Sequence, residues 1–271
     1  MRERRERQLA YSDLQPLMLD EASRRAKAAK IVTVLGHFLN RESLDGLRVL
    51  DIGCSGGIIA SELARAGGFV MGVDIDEPGM AKAESRFGDH VMFVLADGER
   101  LPVASGTTDV VVLNHIYEHA FDPSALVAEL RRVLAPSGVA YLGLGNRLGL
   151  MEPHYHLPFL SWLPRSLAHS YVRIAKRANH YHEKFLTRPN LMRLFSGLSL
   201  WDYTYTVIAE PERFRTTDLV SPAMGARIAR LPGAGRTVAM TIMPTFIWLG
   251  TRGPAGPAGG PTRIPPERIG A

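Results

Sequence analysis

The stretch Leu47 to Gly57, which reads L-R-V-L-D-I-G-C-S-G-G, decides the fold of this chain. Val49 to Ile52 is a short apolar run with β-branched residues, and a glycine-rich turn follows it. Residues 58–66 then place apolar side chains at helical spacing. A strand, a tight loop and a helix in this order can cradle a nucleotide, because glycines let a ligand approach the backbone and the loop leads into the positive end of a helix.

The spacing of the glycines separates two kinds of nucleotide. A dinucleotide-binding loop needs G-x-G-x-x-G, but the third and sixth positions counted from Gly53 are Ser55 and Ile58. The spacing therefore excludes an NAD-dependent reductase. The acidic residue Asp51, at the end of the strand, instead suits a ligand that carries positive charge and no phosphate.

These residues resemble the first motif of the class I S-adenosylmethionine-dependent methyltransferases, an acidic residue followed by G-x-G-x-G. The matching positions are Asp51, Gly53, Ser55 and Gly57. Ser55 replaces the usual middle glycine, so the loop needs either a negative φ there or contacts that offset a left-handed conformation. The resemblance implies S-adenosylmethionine as cofactor. We expect Cys54, inside the loop, to be a small filler beside the ligand rather than a reactive nucleophile.

Two further apolar runs end in acidic residues. Phe69 to Asp74 puts Asp74 at about the distance from the loop at which an acid on the second strand accepts hydrogen bonds from ribose hydroxyls. Val91 to Ala96 precedes Asp97, for which the resemblance implies a bond to the adenine amino group and for which an ordinary turn is the alternative. The predicted cofactor-binding residues are Asp51, Gly53, Cys54, Ser55, Gly57, Asp74, Ile75, Ala96, Asp97, Gly98 and Asn114.

Thr108 to Asn114 is a nearly continuous apolar run, as expected of a strand buried on both faces of a parallel sheet. The segment 116–123, I-Y-E-H-A-F-D-P, resembles the E-H-x-x-D-P stretch of the methyltransferase group that includes ubiquinone and menaquinone biosynthetic enzymes. The resemblance is continuous from Leu47 to Gly145. It implies an α/β, Rossmann-like fold: a seven-stranded, mostly parallel sheet with helices on both faces and a last antiparallel strand.

The remaining segments indicate the domain organisation. Residues 1–16 are predicted to be a solvated segment, residues 17–250 a methyltransferase domain, and residues 251–271 a disordered tail rich in proline and glycine. Segment 146–184, dense in aromatic residues, prolines and histidines, is predicted to be an insertion or lid at the ligand edge of the sheet. We also predict helices at 17–39, 185–197 and 223–231, a sixth strand at 198–207 and the antiparallel strand at 240–249. The first of these helices either covers the cofactor or packs on the sheet edge.

Charge and composition bear on partners and compartment. The net charge of +5 comes mostly from the two ends of the chain, which gives weak support for a nucleic-acid partner. A single cysteine excludes an intrachain disulfide and favours a reducing compartment. The first residues lack the apolar core of a signal peptide, and the run 238–249 is too short to span a bilayer. We therefore expect a cytoplasmic protein, or one peripheral to the inner face of a membrane.

Histidines near the predicted site are the candidates for catalysis. Methyl transfer requires positioning, exclusion of water and, for a hydroxyl acceptor, a base that works near neutral pH. The candidates are His119, His115, His154 and His182, each with a structural role in its loop as the alternative. The two H-x-H pairs suggest zinc, but no thiolate or clear carboxylate accompanies them in the sequence, so we predict no metal.

The leading hypothesis is methyl transfer to a small-molecule, lipid or glycan acceptor, most simply to a hydroxyl, with C- and N-methylation left open. The apolar stretch Phe159 to Leu163 suggests contact with a membrane surface, or equally a packed segment. The alternatives are a nucleic-acid methyltransferase and a non-catalytic S-adenosylmethionine-binding or regulatory protein. The absence of an N/D-P-P-Y/F tetrapeptide argues against the first, and the acids at three strand ends argue against the second.

Overall fold

The computed structural model describes residues 8–14 and 20–270, and most of the predicted N-terminal segment 1–16 lies outside these residues. The strands are β1 Arg48–Ile52, β2 Phe69–Asp74, β3 Met92–Leu95, β4 Thr108–Asn114, β5 Leu134–Gly145, β6 Ser199–Asp202, β7 Thr245–Thr251 and β8 Glu267–Ile269. The helices are α1 Tyr11–Leu14, α2 Glu21–Leu39, α3 Ile58–Arg65, α4 Glu77–Phe87, α5 Pro123–Val133, α6 Arg165–Ile174, α7 Arg188–Leu194, α8 Thr204–Ala209, α9 Pro222–Ala229 and α10 Gly233–Ile242.

The strands form one sheet in the order β3-β2-β1-β4-β5-β7-β6-β8. Strands β1 to β5 pair in parallel, whereas β7 is antiparallel to β5 and β6, and β8 is antiparallel to β6. The order reverses between β1 and β4, where open α/β sheets bind their ligands. The predicted α/β fold with a mostly parallel sheet is confirmed, but the predicted count of seven strands is wrong because β8 adds an eighth.

Burial of the central strands explains why they form. The four residues Val110 to Leu113 of β4 have no exposed surface, in agreement with an apolar run covered on both faces. Each such side chain contributes about 1.5–3 kcal/mol when it leaves water. The helix after β4 begins at Pro123, because Asp122 accepts hydrogen bonds from the backbone N–H groups of Ser124 and Ala125.

The strand predicted at 198–207 and the helix predicted at 185–197 are both shorter in the structure. The strand predicted at 198–207 ends at Asp202, whose carboxylate accepts the backbone N–H of Thr204 and starts α8. The aromatic residues at alternate positions suggested a strand. The helix α8 is buried on all sides, so its sequence shows no helical pattern of exposed polar residues. The helix predicted at 185–197 is shortened to α7, with a proline in its first turn.

The last antiparallel strand also starts later than predicted. Residues Met240 to Ile242 end α10, and β7 begins only at Thr245. Pro244 separates the two elements, because proline disfavours a helical conformation in the residue before it. The strand prediction 240–249 is therefore wrong in its first half.

The prediction that residues 251–271 are disordered is also wrong for the part that the structure describes. The backbone N–H of Ala258 donates to the carbonyl of Phe38, at 2.9 Å, and β8 pairs with β6. The side chains of Ile264 and Ile269 are buried. Proline and glycine weaken local structure, but here the segment finds backbone partners on α2 and on the edge of the sheet.

None of the helices within residues 8–14 and 20–270 is long and apolar enough to cross a bilayer.

Candidate active site

A cavity of about 390 Å³ opens at the carboxyl ends of β1, β2 and β4. This volume is within the range of small-molecule sites. The predicted residues that line it are Gly53, Ser55, Asp74, Ile75, Asp97, Gly98, Asn114, His115, His119 and His154. A narrow cleft beside it is lined by two more, Asp51 and Cys54. Gly57, Ala96 and His182 line neither space.

The glycine loop contains one residue other than glycine, Ser55, in a left-handed conformation. Ser55 has φ +44°, so the left-handed alternative for this residue is the one observed. Its backbone N–H donates to Asp74 Oδ2 at 2.7 Å, and its hydroxyl donates to Asp76 Oδ2 at 3.1 Å. These two bonds offset a conformational cost of about 1–2 kcal/mol. Gly57, at φ +73°, serves packing instead: a Cβ there would lie 2.6 Å from the ring of Phe93.

Asp51 is a buried carboxylate with an unused oxygen. It is 3% exposed, and its Oδ2 has no hydrogen-bond partner among the residues that the structure describes. Burial, with a smaller contribution from the charge of Asp74, raises the pKa of Asp51 to about 7. A ligand ammonium beside it would provide the missing partner. The amino-acid part of S-adenosylmethionine fits this end of the site, because Arg24 lines the same cleft and matches its carboxylate.

Asp74 and Asp97 lie at the cavity wall and also hold the local backbone. The Asp74 carboxylate accepts the backbone N–H groups of Ser55, Ile75 and Asp76. Burial raises the pKa of Asp74, and these backbone bonds oppose the rise. Asp97 Oδ1 accepts the N–H of Glu99 at 3.0 Å, which is the turn contact expected of the alternative role. The ribose contact of Asp74 and the adenine contact of Asp97 stay predictions.

A hydrogen-bonded chain of three side chains forms the opposite end of the cavity. His119 Nε2 lies 3.2 Å from His154 Nε2, and His154 Nδ1 lies 3.0 Å from Glu152 Oε1. Glu152 has no exposed surface, and its second oxygen accepts the backbone N–H groups of His154 and Tyr155. This carboxylate fixes the ring of His154 in one orientation. The sequence analysis missed Glu152, which is distant from β4 in the chain and close to it in space.

Charge around His154 makes it a stronger base than free histidine. Burial would lower its pKa, but the hydrogen bond that its Nδ1 donates to Glu152 and the charges of Glu152, Glu183 and Glu118 raise the pKa above the ordinary value. His154 therefore keeps its proton to a higher pH than an isolated imidazole does. A histidine beside a buried carboxylate in a cavity has the properties of a general base.

The other two candidate histidines differ in position. His115 lines the cavity, and its Nδ1 lies 3.0 Å from Oε1 of Glu118. Burial would raise the pKa of Glu118, but this contact helps to lower it. His182 lies outside the cavity wall, and its backbone N–H donates to Glu183 at 3.1 Å. The geometry therefore brings together three of the four predicted histidines.

Among the residues that the structure describes, one group of side chains could hold a metal ion. Glu118, His119 and His154 each offer a ligand atom, and these atoms lie within 4.8 Å of one another. The histidines therefore do have carboxylate neighbours, Glu118 and Glu152, which the sequence did not indicate. Nitrogen and oxygen donors of this kind suit zinc. The absence of a metal stays a prediction.

The N-terminal segment packs over this end of the cavity. Gln8 Nε2 donates to the carbonyl of His119 at 2.6 Å, and the ring of Tyr11 lies 5.1 Å from the ring of His119. Both the N–H and the hydroxyl of Ser12 donate to the Asp76 carboxylate. Residues 8–12 therefore contribute to the walls of the site, although they belong to the segment 1–16 that the sequence predicts to be solvated.

Residues 50–142 match the family model described as a methyltransferase domain. This part of the chain is therefore similar to methyltransferase domains. The match confirms the resemblance to the S-adenosylmethionine-dependent methyltransferases and the predicted class of cofactor. It begins one residue before Asp51 and ends in β5, so it includes the glycine loop and the strand ends that line the cavity.

Two curated proteins that are similar to this chain are named ubiquinone biosynthesis O-methyltransferase. That of Thiobacillus denitrificans is 33% identical over 148 residues, which cover 51% of this chain and 62% of the relative. That of Rhizobium rhizogenes is 32% identical over 139 residues, covering 49% and 56%. The chain thus spans only a little more than half the length of these relatives. The crystal structure of the cyclase SpnF is similar with a TM-score of 0.50 at 15% identity, over 82% of this chain and 80% of that one, which shows a shared fold alone.

Proposed function

We propose that this protein transfers the methyl group of S-adenosylmethionine to a hydroxyl group of a small aromatic acceptor. The observation that carries the proposal is the continuity of the cavity, whose lining runs from the glycine loop at Gly53 to the pair His119 and His154. A cofactor at one end and a base at the other are the two requirements of hydroxyl methylation.

The cofactor end supplies charges of both signs. Asp51 has an unused buried oxygen, and Arg24 lies on the same cleft, so the pair can hold the ammonium and the carboxylate of an amino-acid group. Gly53, at φ +80°, lines the cavity, and the side chain of Ile116 packs where a Cβ of residue 53 would lie. When bound, S-adenosylmethionine supplies an activated methyl group on its sulfonium.

The acceptor end supplies a place for the hydroxyl proton. In the proposed reaction the acceptor oxygen forms a bond to the methyl carbon as the carbon–sulfur bond breaks, and the proton passes to the imidazole pair. Glu152 stabilises the resulting imidazolium through His154 Nδ1. The side chains of Tyr11 and His156 belong to the same wall and help to exclude water.

The relatives support a hydroxyl acceptor. Their printed name states O-methylation in ubiquinone biosynthesis, so a catechol or hydroquinone ring is the first acceptor class to test. Because the matches cover only about half of this chain, the acceptor remains our inference.

The test is methyl transfer from isotopically labelled S-adenosylmethionine to catechol and hydroquinone probes, read by mass spectrometry. We expect transfer by the native chain, loss of most of it in His119→Ala, and little change in His180→Ala, which alters an exposed histidine of the insertion. Loss of one catalytic base lowers rates by about 10²–10⁴-fold. Binding of S-adenosylhomocysteine without transfer to these probes would favour the non-catalytic alternative, and transfer to RNA or DNA alone would favour a nucleic-acid methyltransferase.

We also propose that the insertion contacts the surface of a membrane. Leu167 and Ile174 on α6 are 56% and 81% exposed, beside the half-exposed Phe159 and Trp162. Basic side chains flank them on and after α6, at Arg165, Arg173, Lys176 and Arg177. Apolar and basic side chains together favour an anionic lipid surface.

Co-sedimentation with vesicles tests the membrane contact. We expect binding to vesicles that contain phosphatidylglycerol, weaker binding to pure phosphatidylcholine, and weaker binding of Ile174→Glu to both. Equal sedimentation of the native chain and Ile174→Glu would contradict the proposal.

A further inference from the structure

One face of α2 contributes a row of polar side chains to the cavity. Its members are Asp20 at the helix cap and Ser23, Arg24 and Lys27 on the helix. Residues at this spacing lie on the same side of a helix, and side chains three positions apart are neighbours. Two cations one helical turn apart therefore face the ligand space.

Arg24 already has a role in the proposed cofactor site. It lines the narrow cleft together with Asp51, and the charge of Arg24 lowers the pKa of Asp51 against the larger effect of burial. A neighbouring acid and base match the ammonium and carboxylate of one amino-acid group. One cation is sufficient for the single carboxylate of S-adenosylmethionine.

Lys27 is a second cation on this face of α2, and it has no ion-pair partner among the described residues. It lines the main cavity and not the cleft, and its ammonium forms no hydrogen bond or ion pair with any residue in the ranges 8–14 and 20–270. Lys30, the next lysine of α2, differs: its Nζ lies 2.6 Å from Oδ2 of Asp218. The difference between the two lysines points to a ligand for Lys27, because lysines that are removed from water are rarely left unpaired.

The electrostatic surroundings of Lys27 disfavour its charge. Burial, and then the like charges of Arg24 and Lys30, lower the pKa of Lys27 to about 8, while Asp20 opposes this weakly. An anion brought into the cavity would restore the ordinary charge balance. An ammonium next to a carboxylate or phosphate forms a charge-assisted hydrogen bond, which is about twice as strong as a neutral one.

We infer that the methyl acceptor carries a carboxylate or phosphate group and that Lys27 binds this group. The inference rests on the proposed function and narrows its substrate class, because it selects anionic hydroxylated rings over neutral ones. Lys27 then determines which acceptors bind, while the histidine pair acts on the hydroxyl.

Calorimetric titration tests the inference. The first titration measures S-adenosylhomocysteine binding to the native chain and to Lys27→Met. The second, with S-adenosylhomocysteine saturating, compares 3,4-dihydroxybenzoate with its neutral relative 3,4-dihydroxybenzamide and with 3,4-dihydroxyphenylphosphonate. We expect the native chain to bind an anionic probe about tenfold more tightly than the amide, which corresponds to about 1.4 kcal/mol.

Variants of the same helix make the comparison specific. Lys27→Met should remove the preference for the anionic probe and leave S-adenosylhomocysteine binding unchanged, while Lys27→Arg should keep most of the preference. Lys30→Met is the matched control, because it removes the same charge from α2 but from outside the cavity wall. A preference for the phosphonate over the carboxylate would assign the site to phosphate-bearing acceptors.

The outcomes separate the two proposals. If the native chain fails to bind S-adenosylhomocysteine, the proposed function fails and this inference with it. If S-adenosylhomocysteine binds but the native chain shows no preference for an anionic probe, or binds none of the probes, the inference alone is overturned. If Lys27→Met weakens S-adenosylhomocysteine as strongly as the anionic probe, Lys27 belongs to the cofactor carboxylate and the inference is again overturned.

Discussion

Without ligand, the Asp51→Asn variant should become more stable relative to the native chain as the pH rises. The folded protein holds Asp51 with a pKa of about 7, against an ordinary value of 3.8. Between these values the folded protein keeps a proton that the unfolded chain has lost, so the free energy of unfolding falls with rising pH until about pH 7 and then levels off. Each pH unit in this window costs about 1.4 kcal/mol, which gives about 3 kcal/mol between pH 5 and pH 8. Asparagine has no such proton, so Asp51→Asn escapes this loss.

Urea unfolding at about pH 5 and about pH 8 measures the effect. The stability of Asp51→Asn relative to the native chain should increase by about 3 kcal/mol between the two pH values. Asp109→Asn is the control, since Arg48 holds the pKa of Asp109 below its ordinary value. The stability from that pair is lost only as the pH falls below this range, so the effect of Asp109→Asn should be the same at both pH values. Parallel pH dependences of Asp51→Asn and the native chain would refute the reasoning.

The same substitution reports on the ligand. An ammonium beside Asp51 favours the ionised carboxylate, so binding of S-adenosylhomocysteine near pH 7 should release a proton from the native chain. Calorimetry in buffers of different ionisation enthalpy detects that proton. Asp51→Asn should bind more weakly and release less, and unchanged proton release in the variant would place the ammonium elsewhere.

Three further predictions concern the base, the loop and the tail. Glu152→Gln should move the acidic limb of the pH–rate profile to lower pH, because the carboxylate raises the pKa of His154; an unshifted limb would remove His154 as the base. Gly57→Ala should destabilise the fold by about 1–3 kcal/mol in urea, since the added methyl group meets the ring of Phe93 at a positive φ; an unchanged unfolding midpoint would contradict this packing. Ile269→Asp should cost about 2–4 kcal/mol, as it puts a charge into the buried end of β8, whereas a disordered tail would show no loss.

The parallel half of the sheet was predictable from short segments. Strands β2 and β4 have the predicted bounds, because a strand covered on both faces is a continuous apolar run whose end is marked by a polar residue. The glycine loop was equally local, and its one irregular residue, Ser55, has one of the two conformations that the sequence allowed. The sequence contains this information because the order of apolar and polar residues along each element indicates which of its faces are buried.

The C-terminal half was predicted less well because its order depends on distant partners. Tyr203 and Tyr205 alternate as strand residues do, yet Tyr205 lies in a helix that is buried all round, so periodicity could not identify it. Residues 252–270 have the composition of a disordered tail, but their partners are β6 and α2, far away in sequence. The composition of a segment shows how much apolar surface it can bury by itself. It does not show which distant elements the segment can pair with.

The candidate site also has a part that short segments predict, the cofactor end, and a part that depends on distant residues, the acceptor end. The second part determines which acceptor can bind. Its cofactor end comes from residues within 50–142, the segment that the family model matches, and from Arg24 on α2. Three residues lie outside that segment: Glu152 and His154, which shape the acceptor end, and Lys27, which we infer binds the acceptor. Changes at these three positions can therefore alter the acceptor without altering the loop that holds the cofactor. For this reason the acceptor of this chain need not be that of its ubiquinone-biosynthetic relatives, and an anionic ring is the first departure to test.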